Sequence, residues 1–200
     1  MGVLARLDKG GSVSERVRAF IAVDIEDPGV VSRIAAIRDA FVATGAPMKP
    51  VEDQNLHITL RFLGNIPLSM ADELRRVIEE AEFRPFRVTL RGVGAFPSPT
   101  RPRVLWIGVG EGADTLGRIY EVIERGVRRL GFRPEREKFV PHITIARLKG
   151  SRNIWRVVKL LEEYRDVEVG SVVVRCVRLK QSILQRSGPI YKTLREVCRG

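Results

Sequence analysis

The feature that most constrains this chain of 200 residues is an internal repeat with an offset of 85 to 86 residues. Three kinds of landmark recur at that offset: the centre of a predicted first strand, a glycine that ends a predicted helix, and a histidine. These landmarks are Ile21 and Ile107, Gly45 and Gly131, and His57 and His142. Two copies are too few for a solenoid, which needs about three or more repeats. The repeat therefore predicts two equivalent lobes.

Hydrophobic periodicity predicts the same order of elements in each copy: strand, helix, histidine strand, second helix and further strand. The first copy is expected to contain strands at 18–24, 57–63 and 86–90, and helices around the apolar stripes 30–41 and 74–81. The second is expected to contain strands at 104–109, 142–145, 168–178 and 190–196, and helices around 116–130 and 154–161. Ser69 with Asp72 resembles a capping box, Asn153 can cap the last helix, and Gly64 ends the first histidine strand.

These elements predict an α/β fold of the α+β type with two pseudo-symmetric lobes. Each lobe is expected to be an antiparallel sheet with helices on its outer face, with the active-site cleft between the lobes. Residues 1–16 are polar and glycine-rich without periodicity, so we assign them to a mobile leader. Residues 17–200 are assigned to a single bilobal domain whose repeat halves span about 17–100 and 101–200.

Each copy contains the phrase His-Ile-Thr followed by an aliphatic residue, and these phrases hold the chain's two histidines. Successive side chains of a strand point to opposite faces, so His57 and Thr59 share one face while Ile58 and Leu60 share the other. The same alternation places His142 and Thr144 together in the second copy. Each strand can therefore bury its aliphatic pair and direct an imidazole and a hydroxyl towards a cleft.

Two imidazoles that face each other can act as base and acid in one reaction, because histidine titrates near neutral pH. The hydroxyls of Thr59 and Thr144 can donate hydrogen bonds to the non-bridging oxygens of a phosphate. Two histidines need a third ligand to hold a metal ion, and neither motif carries one at ligand spacing. The pattern indicates acid/base chemistry on a phosphodiester, with no metal and no other cofactor.

Composition sets wider bounds. The formal charge of +11 favours a polyanionic partner such as nucleic acid. No apolar stretch approaches the roughly 20 residues that cross a bilayer, and no secretory signal is present, so we expect a cytoplasmic protein without membrane contact. Cys176 and Cys198 are expected to be free thiols, although a disulfide is plausible in a hyperthermophile. One chain supplies both halves of the site, which favours a monomer.

The two histidine motifs, within residues 55–64 and 139–147, resemble the paired motifs of the 2H phosphoesterase superfamily, and more narrowly those of the RNA 2′,3′-cyclic phosphodiesterases, also called 2′-5′ RNA ligases. The opening segment 18–23 and the closing segments 182–184 and 188–191 are similar to the same family. The resemblance implies hydrolysis of 2′,3′-cyclic phosphate at RNA ends, tRNA fragments among them, to 2′-phosphate. The alternatives are 2′-5′ end joining and a non-catalytic RNA-binding module.

The resemblance also implies roles for individual residues. We favour His142 as the base and His57 as the acid, while Thr59 and Thr144 hold the phosphate. Phe62 and Arg147 match family residues that contact substrate, although each lies five residues after its histidine and would face away from it in an unbroken strand. Strand parity instead puts Arg61 on the histidine's face, as a further candidate for phosphate binding.

Overall fold

A computed structural model describes residues 15–185 and 188–200. The predicted leader, residues 1–16, lies outside the described residues except for its last two, and Arg16 already belongs to the first strand. The described residues form nine strands and four α-helices. The strands are β1 (Arg16–Asp24), β2 (Met48–Pro50), β3 (His57–Pro67), β4 (Phe86–Phe96), β5 (Val104–Val109), β6 (His142–Leu148), β7 (Glu168–Val174), β8 (Cys176–Leu184) and β9 (Pro189–Cys198). The helices are α1 (Pro28–Val42), α2 (Ala71–Glu80), α3 (Ala113–Arg129) and α4 (Ile154–Glu163).

The strands form one antiparallel sheet in the order β7–β4–β5–β6–β3–β1–β8–β9, and β2 pairs with the free part of β6. The two halves of the sheet meet between β6 and β3, where Ile58 pairs with Ile143. Both isoleucines are fully buried and lie 85 residues apart in the chain, which places them at equivalent positions of the repeat. The predicted fold of two pseudo-symmetric lobes with antiparallel strands is confirmed, and the lobes are continuous through this pair.

The strand order reads alike from the centre towards either edge. β3 and β6 lie at the centre, β1 and β5 come next, and each edge is completed by two more strands. Each half of the sheet includes strands from both halves of the chain, because β4 joins β5 on one side while β8 and β9 join β1 on the other. The two copies of the repeat thus exchange strands. The assignment of the repeat halves to about 17–100 and 101–200 stays a prediction.

The helices cover the outer face, as predicted. α2 and α3 pack together against the half that contains β3, β8 and β9, and α1 and α4 pack against the half that contains β6, β4 and β7. A Cβ at Gly126 of α3 would lie 2.4 Å from the Val77 side chain of α2, so this glycine permits the close approach of the two helices. No helix in the described ranges combines the length and apolarity needed to cross a membrane.

Three local predictions are wrong. β3 does not end at Gly64 but continues to Pro67. The glycine, at φ 71°, accommodates an irregularity in the ladder with β1 and does not terminate the strand. Helix α2 begins at Ala71 with Met70 as its N-cap and no side-chain cap, so Ser69 forms no capping box. The run 168–178 is two strands, β7 and β8, rather than one. Asn153 does occupy the N-cap of α4, but without a side-chain hydrogen bond.

The expected free thiols are also corrected, since Cys176 and Cys198 form a disulfide. The two residues are direct partners in the β8–β9 ladder, with Cα atoms 4.1 Å apart. Their separation of 22 residues in sequence conceals this proximity, which the register of the hairpin creates. Among the described residues, the one close group of side chains able to bind a metal is Cys176, Glu196 and Cys198, and its two sulfurs are joined in this disulfide.

Candidate active site

A cavity of about 750 Å³ lies where the two halves of the sheet meet. Six of the seven residues predicted for the site line it: His57, Thr59, Phe62, His142, Thr144 and Arg147. The antiparallel pair Ile58–Ile143 explains how the four motif residues meet. Continued by one residue in each direction, this register sets His57 opposite Thr144 and Thr59 opposite His142. All four then share the face opposite the buried isoleucines.

Both imidazoles are held in the same way. His57 Nδ1 lies 2.7 Å from the carbonyl oxygen of Asn55, and His142 Nδ1 lies 2.7 Å from that of Val140. A carbonyl oxygen can only accept, so each Nδ1 carries the hydrogen and donates it. In the neutral ring Nε2 is then the free acceptor, and in the protonated ring it becomes a donor. Either imidazole can therefore accept or release a proton at Nε2.

Burial lowers the pKa of His57 below its ordinary value, because the charged ring loses contact with water. The Asn55 carbonyl and the carboxylate of Asp24 oppose this shift by stabilising the imidazolium. Asp24 is the β1 partner of His57, and its oxygens accept hydrogen bonds from Lys180 Nζ at 2.6 Å and Arg178 Nη1 at 2.9 Å. Lys180 is buried, and its own charge partly cancels the effect of Asp24 on His57.

The second histidine has different charged neighbours. Burial again lowers the pKa of His142, and the Val140 carbonyl opposes the shift. The nearby guanidinium of Arg147 lowers the pKa further, because one cation disfavours another. The charged neighbours thus differ between the two rings. At His57 the Asp24 carboxylate favours the imidazolium while Lys180 and His142 disfavour it, and at His142 the Arg147 guanidinium disfavours it.

Aromatic rings fix the histidine rings in position. Phe20 and Tyr191 lie against His57, with ring centroids 5.1 and 5.2 Å from it. Phe96 and Trp106 lie against His142 at 5.0 and 6.1 Å. These four contacts are absent from the sequence-based prediction. One signal was available, because Phe20 and Trp106 are 86 residues apart and so occupy equivalent places in the repeat.

Two equivalent bulges explain how Phe62 and Arg147, each five residues after its histidine, face the same side as the histidine. In the β1–β3 ladder, Ile21 and Ala22 pair with Arg61 and Thr59, so Leu60 is an extra residue. In the β5–β6 ladder, Ile145 is the extra residue, again 85 positions later. A bulge inserts one residue and reverses the side-chain alternation beyond it. Phe62 and Arg147 accordingly line the cavity together with the histidines.

The prediction that Arg61 lies on the face of the histidine and binds phosphate is wrong, because the bulge at Leu60 turns Arg61 to the other face. Arg61 is absent from the cavity lining and only 6% exposed. Its Nε lies 2.6 Å from Glu124 of α3, and its Nη atoms donate to Glu135 and to the carbonyls of Phe62 and Arg133. Arg61 therefore ties β3 to helix α3 and to the loop after it, and four of the five N–H donors of its guanidinium are engaged there.

Further cavity-lining residues were missed by the sequence-based prediction. Arg18 and Lys49 bring cations to the cavity wall, and Tyr191 brings a ring whose pKa burial raises. Asn55 is buried, and its Nδ2 donates to the Pro189 carbonyl at 2.9 Å while its own carbonyl holds His57. Arg18, Asn55 and Tyr191 lie within the segments that resemble the family, but no motif repeated at the offset of 85 to 86 residues marks them as site residues. Lys49 lies outside those segments.

Comparisons with known proteins agree with this geometry. A family model described as LigT-like phosphoesterase matches the chain twice, at residues 24–106 and 107–191. The chain is 55% identical to an RNA 2′,3′-cyclic phosphodiesterase of Aeropyrum pernix over 84% of its own length and 96% of the relative's. It is 39% identical to one of Methanothermobacter thermautotrophicus, over 88% and 95% of the two chains.

Solved structures have the same fold. A Thermus thermophilus protein superposes with a TM-score of 0.72 and 28% identity, over 90% of this chain and 97% of that one. E. coli LigT, solved with 3′-AMP, superposes with a TM-score of 0.76 and 24% identity, over 92% and 99%. The two matches to the family model follow the internal repeat, one for each histidine motif. The chain belongs to the LigT-like phosphoesterase family, as its paired histidine motifs predict.

Proposed function

We propose that this chain hydrolyses 2′,3′-cyclic phosphate at RNA ends to 2′-phosphate, without a metal ion, by acid/base catalysis at two histidines. One observation carries the proposal: the pair Ile58–Ile143 brings two His-x-Thr motifs to one cavity, and within the described residues only Nδ1 of each ring has a hydrogen-bond partner. The names of the relatives from A. pernix and M. thermautotrophicus support the choice of substrate.

In the proposed reaction, neutral His142 accepts a proton at Nε2 from a water molecule, whose oxygen attacks phosphorus. The bond between phosphorus and the 3′ oxygen breaks, and protonated His57 donates its Nε2 proton to that oxygen. The products are a 2′-phosphomonoester and a free 3′ hydroxyl. Thr59 and Thr144 donate hydrogen bonds to the two non-bridging oxygens, where negative charge increases in the transition state.

The charged neighbours support this division of roles. An acid must be protonated when substrate binds, and the Asp24 carboxylate favours the imidazolium of His57. A base must be neutral, and the Arg147 guanidinium disfavours the imidazolium of His142. Because the rings belong to one site, their protons are coupled and the observed titrations belong to the pair.

The cavity walls suit an RNA end. The exposed ring of Phe62 can stack on a nucleobase, and Arg147 can pair with a phosphate oxygen. RNA ends, including tRNA fragments, are the partners that we propose for a monomer acting in the cytoplasm. No cofactor takes part in the proposed reaction.

The test is turnover of a nucleoside 2′,3′-cyclic phosphate and of a short oligonucleotide with the same end, both in EDTA, with the product isomer identified by phosphorus NMR. The proposal predicts full activity after chelation and a 2′-phosphate product. Loss of turnover on chelation would exclude the metal-free mechanism, and a 3′-phosphate product would exclude the assigned leaving group. RNA binding without turnover would indicate the non-catalytic module, whereas net formation of 2′-5′ linkages would indicate end joining.

A further inference from the structure

Three segments of the chain have an unusual charge distribution. Residues 40–51, 92–110 and 138–161 contain nine lysines and arginines and no aspartate or glutamate. The fold places these segments side by side, because β2 and β5 both pair with β6. A surface built from such segments has a positive potential that no carboxylate of its own offsets, and it attracts polyanions.

The segments converge at the Leu148 end of β6. There the backbone nitrogen of Lys149 donates to the Pro47 carbonyl at 2.7 Å, and that of Leu148 donates to the Arg103 carbonyl at 2.9 Å. Helix α4 begins five residues beyond Lys149. The exposed side chains at this end form what we call the basic face: Arg101, Arg103, Lys149, Arg152, Trp155 and Arg156.

The cations of the basic face are available to a ligand. No salt bridge within residues 15–185 and 188–200 involves any of its lysines or arginines. By contrast, arginines elsewhere on the same sheet, such as Arg91 and Arg87 on β4, lie beside carboxylates. The basic face thus combines five cations that have no carboxylate partner within the described residues.

Trp155 gives this surface a second, independent feature. Its side chain is 63% exposed, although an indole normally contributes to a core. The guanidinium of Arg156 lies 5.2 Å from the ring centroid, in a cation–π arrangement. An exposed aromatic ring among cations is the combination that binds single-stranded nucleic acid, because the ring stacks on a base while the cations contact the backbone.

The basic face continues the wall of the active-site cavity. Lys49 and Arg147 both line the cavity and are partners in the β2–β6 ladder, and Lys149 follows Arg147 by two residues. Along β6, the step from His142 to Leu148 spans about 20 Å at the rise of a strand. Trp155 does not line the cavity. A mononucleotide in the cavity therefore leaves the basic face uncovered, whereas a longer strand can reach it.

We propose that the basic face binds the single-stranded RNA that lies 5′ to the cyclic phosphate, with Trp155 stacked on one of its bases. This inference rests on the proposed function, since it assumes that an RNA end occupies the cavity. It predicts that this surface makes long substrates better than mononucleotides.

The experiment compares kcat/KM for a nucleoside 2′,3′-cyclic phosphate and for a ten-nucleotide RNA with the same end, in wild type and in Trp155→Ala. The ratio of the two values should fall by about 5- to 150-fold in the variant, which corresponds to about 1–3 kcal/mol of stacking. The mononucleotide value should stay within twofold, which also verifies the fold. Trp155→Phe should restore most of the ratio.

The charge component is tested with Arg152→Gln combined with Arg156→Gln. The salt dependence of oligonucleotide kcat/KM, plotted as logarithms, should become shallower by about 1.4, because each lost phosphate contact removes about 0.7 on single strands. Arg125→Gln with Arg128→Gln, on exposed positions of α3, removes the same charge from the other half of the sheet and should leave the slope unchanged.

Equal oligonucleotide kinetics in wild type and Trp155→Ala would overturn the inference. Absence of wild-type turnover on both the mononucleotide and the ten-nucleotide RNA would instead contradict the proposed function. The two failures are therefore distinguishable.

Discussion

At the scale of single residues, the site depends on how each histidine is held. The Asn55 and Val140 carbonyls fix the tautomer of both rings, and burial lowers both pKa values. The two rings then differ through their neighbours, Asp24 for one and Arg147 for the other. A symmetric pair of motifs thus has asymmetric charged surroundings, as the proposed division into an acid and a base requires.

The first prediction concerns the pH profile of kcat/KM for a nucleoside 2′,3′-cyclic phosphate. Activity rises with pH as the base loses its proton, and it falls as the acid loses its own. Because the pKa values of both His57 and His142 are lowered in the folded protein, both limbs move to lower pH. We expect a bell-shaped profile with its optimum below about pH 6.5, the ordinary pKa of histidine. An optimum above pH 8 would contradict this account.

Substitution at Arg147 tests one cause of the lowered pKa of His142. Arg147→Gln removes a cation that lowers the pKa of His142, so the acidic limb of the same profile should move to higher pH. The alkaline limb, which we assign to His57, should move less. An unchanged acidic limb would mean that Arg147 does not act on the base.

At the scale of secondary structure elements, the two bulges have the largest consequence for the site. Apolar periodicity predicted the helices and most strands, because burial of one face leaves a regular pattern. The extra residues Leu60 and Ile145 are ordinary aliphatic residues, so nothing in the sequence marks them as bulges. Strand alternation therefore predicted the common face of the histidines and threonines, but it could not decide between Arg61 and Phe62. Strand β2 was missed because three residues that include a proline carry no periodicity.

Substitutions at Arg61 and Arg147 test whether the bulges bury the first side chain and direct the second into the cavity. Arg61→Leu should lower the free energy of unfolding by about 3 kcal/mol or more, because it leaves the largely buried Glu124 without its partner. The exposed Arg147 should tolerate Arg147→Gln within about 0.5 kcal/mol. That variant should nevertheless lose about tenfold or more in kcat/KM, since a charged hydrogen bond contributes about 1.5–3 kcal/mol. Urea unfolding measures the free energy of unfolding, and steady-state kinetics measures kcat/KM. An Arg61→Leu protein that is stable but inactive would indicate that Arg61 acts in the cleft.

The disulfide is a further element-scale feature that periodicity cannot predict, since it depends on the β8–β9 register. It closes a segment with a sequence separation of 22 residues. Replacing Cys176 and Cys198 together by serine should cost about 3 kcal/mol in the free energy of unfolding, through the greater entropy of the unfolded chain. Urea unfolding of wild type with and without reductant provides the control. A loss below 1 kcal/mol in both comparisons would show that the cross-link contributes little.

At the scale of the whole molecule, the repeat creates a site that neither copy contains alone. Each copy supplies one histidine and one threonine, and the exchange of β4 with β8 and β9 ties the two halves together. The repeat offset predicted this arrangement from sequence, whereas the exchange of strands required the pairing partners. The net charge of +11 is likewise unevenly placed, because the three neighbouring segments 40–51, 92–110 and 138–161 contain nine lysines and arginines and no carboxylate.

The central claim is that both histidines act in one reaction, and its most direct test is the turnover of a nucleoside 2′,3′-cyclic phosphate by His57→Asn, His142→Asn and the double variant. Each single change should lower kcat by about 10²- to 10⁴-fold while the protein stays folded, as judged by circular dichroism. The double variant should lose less than the product of the two single losses, because the residues act as a unit. Either single variant that keeps its rate within tenfold of wild type would contradict the two-histidine mechanism.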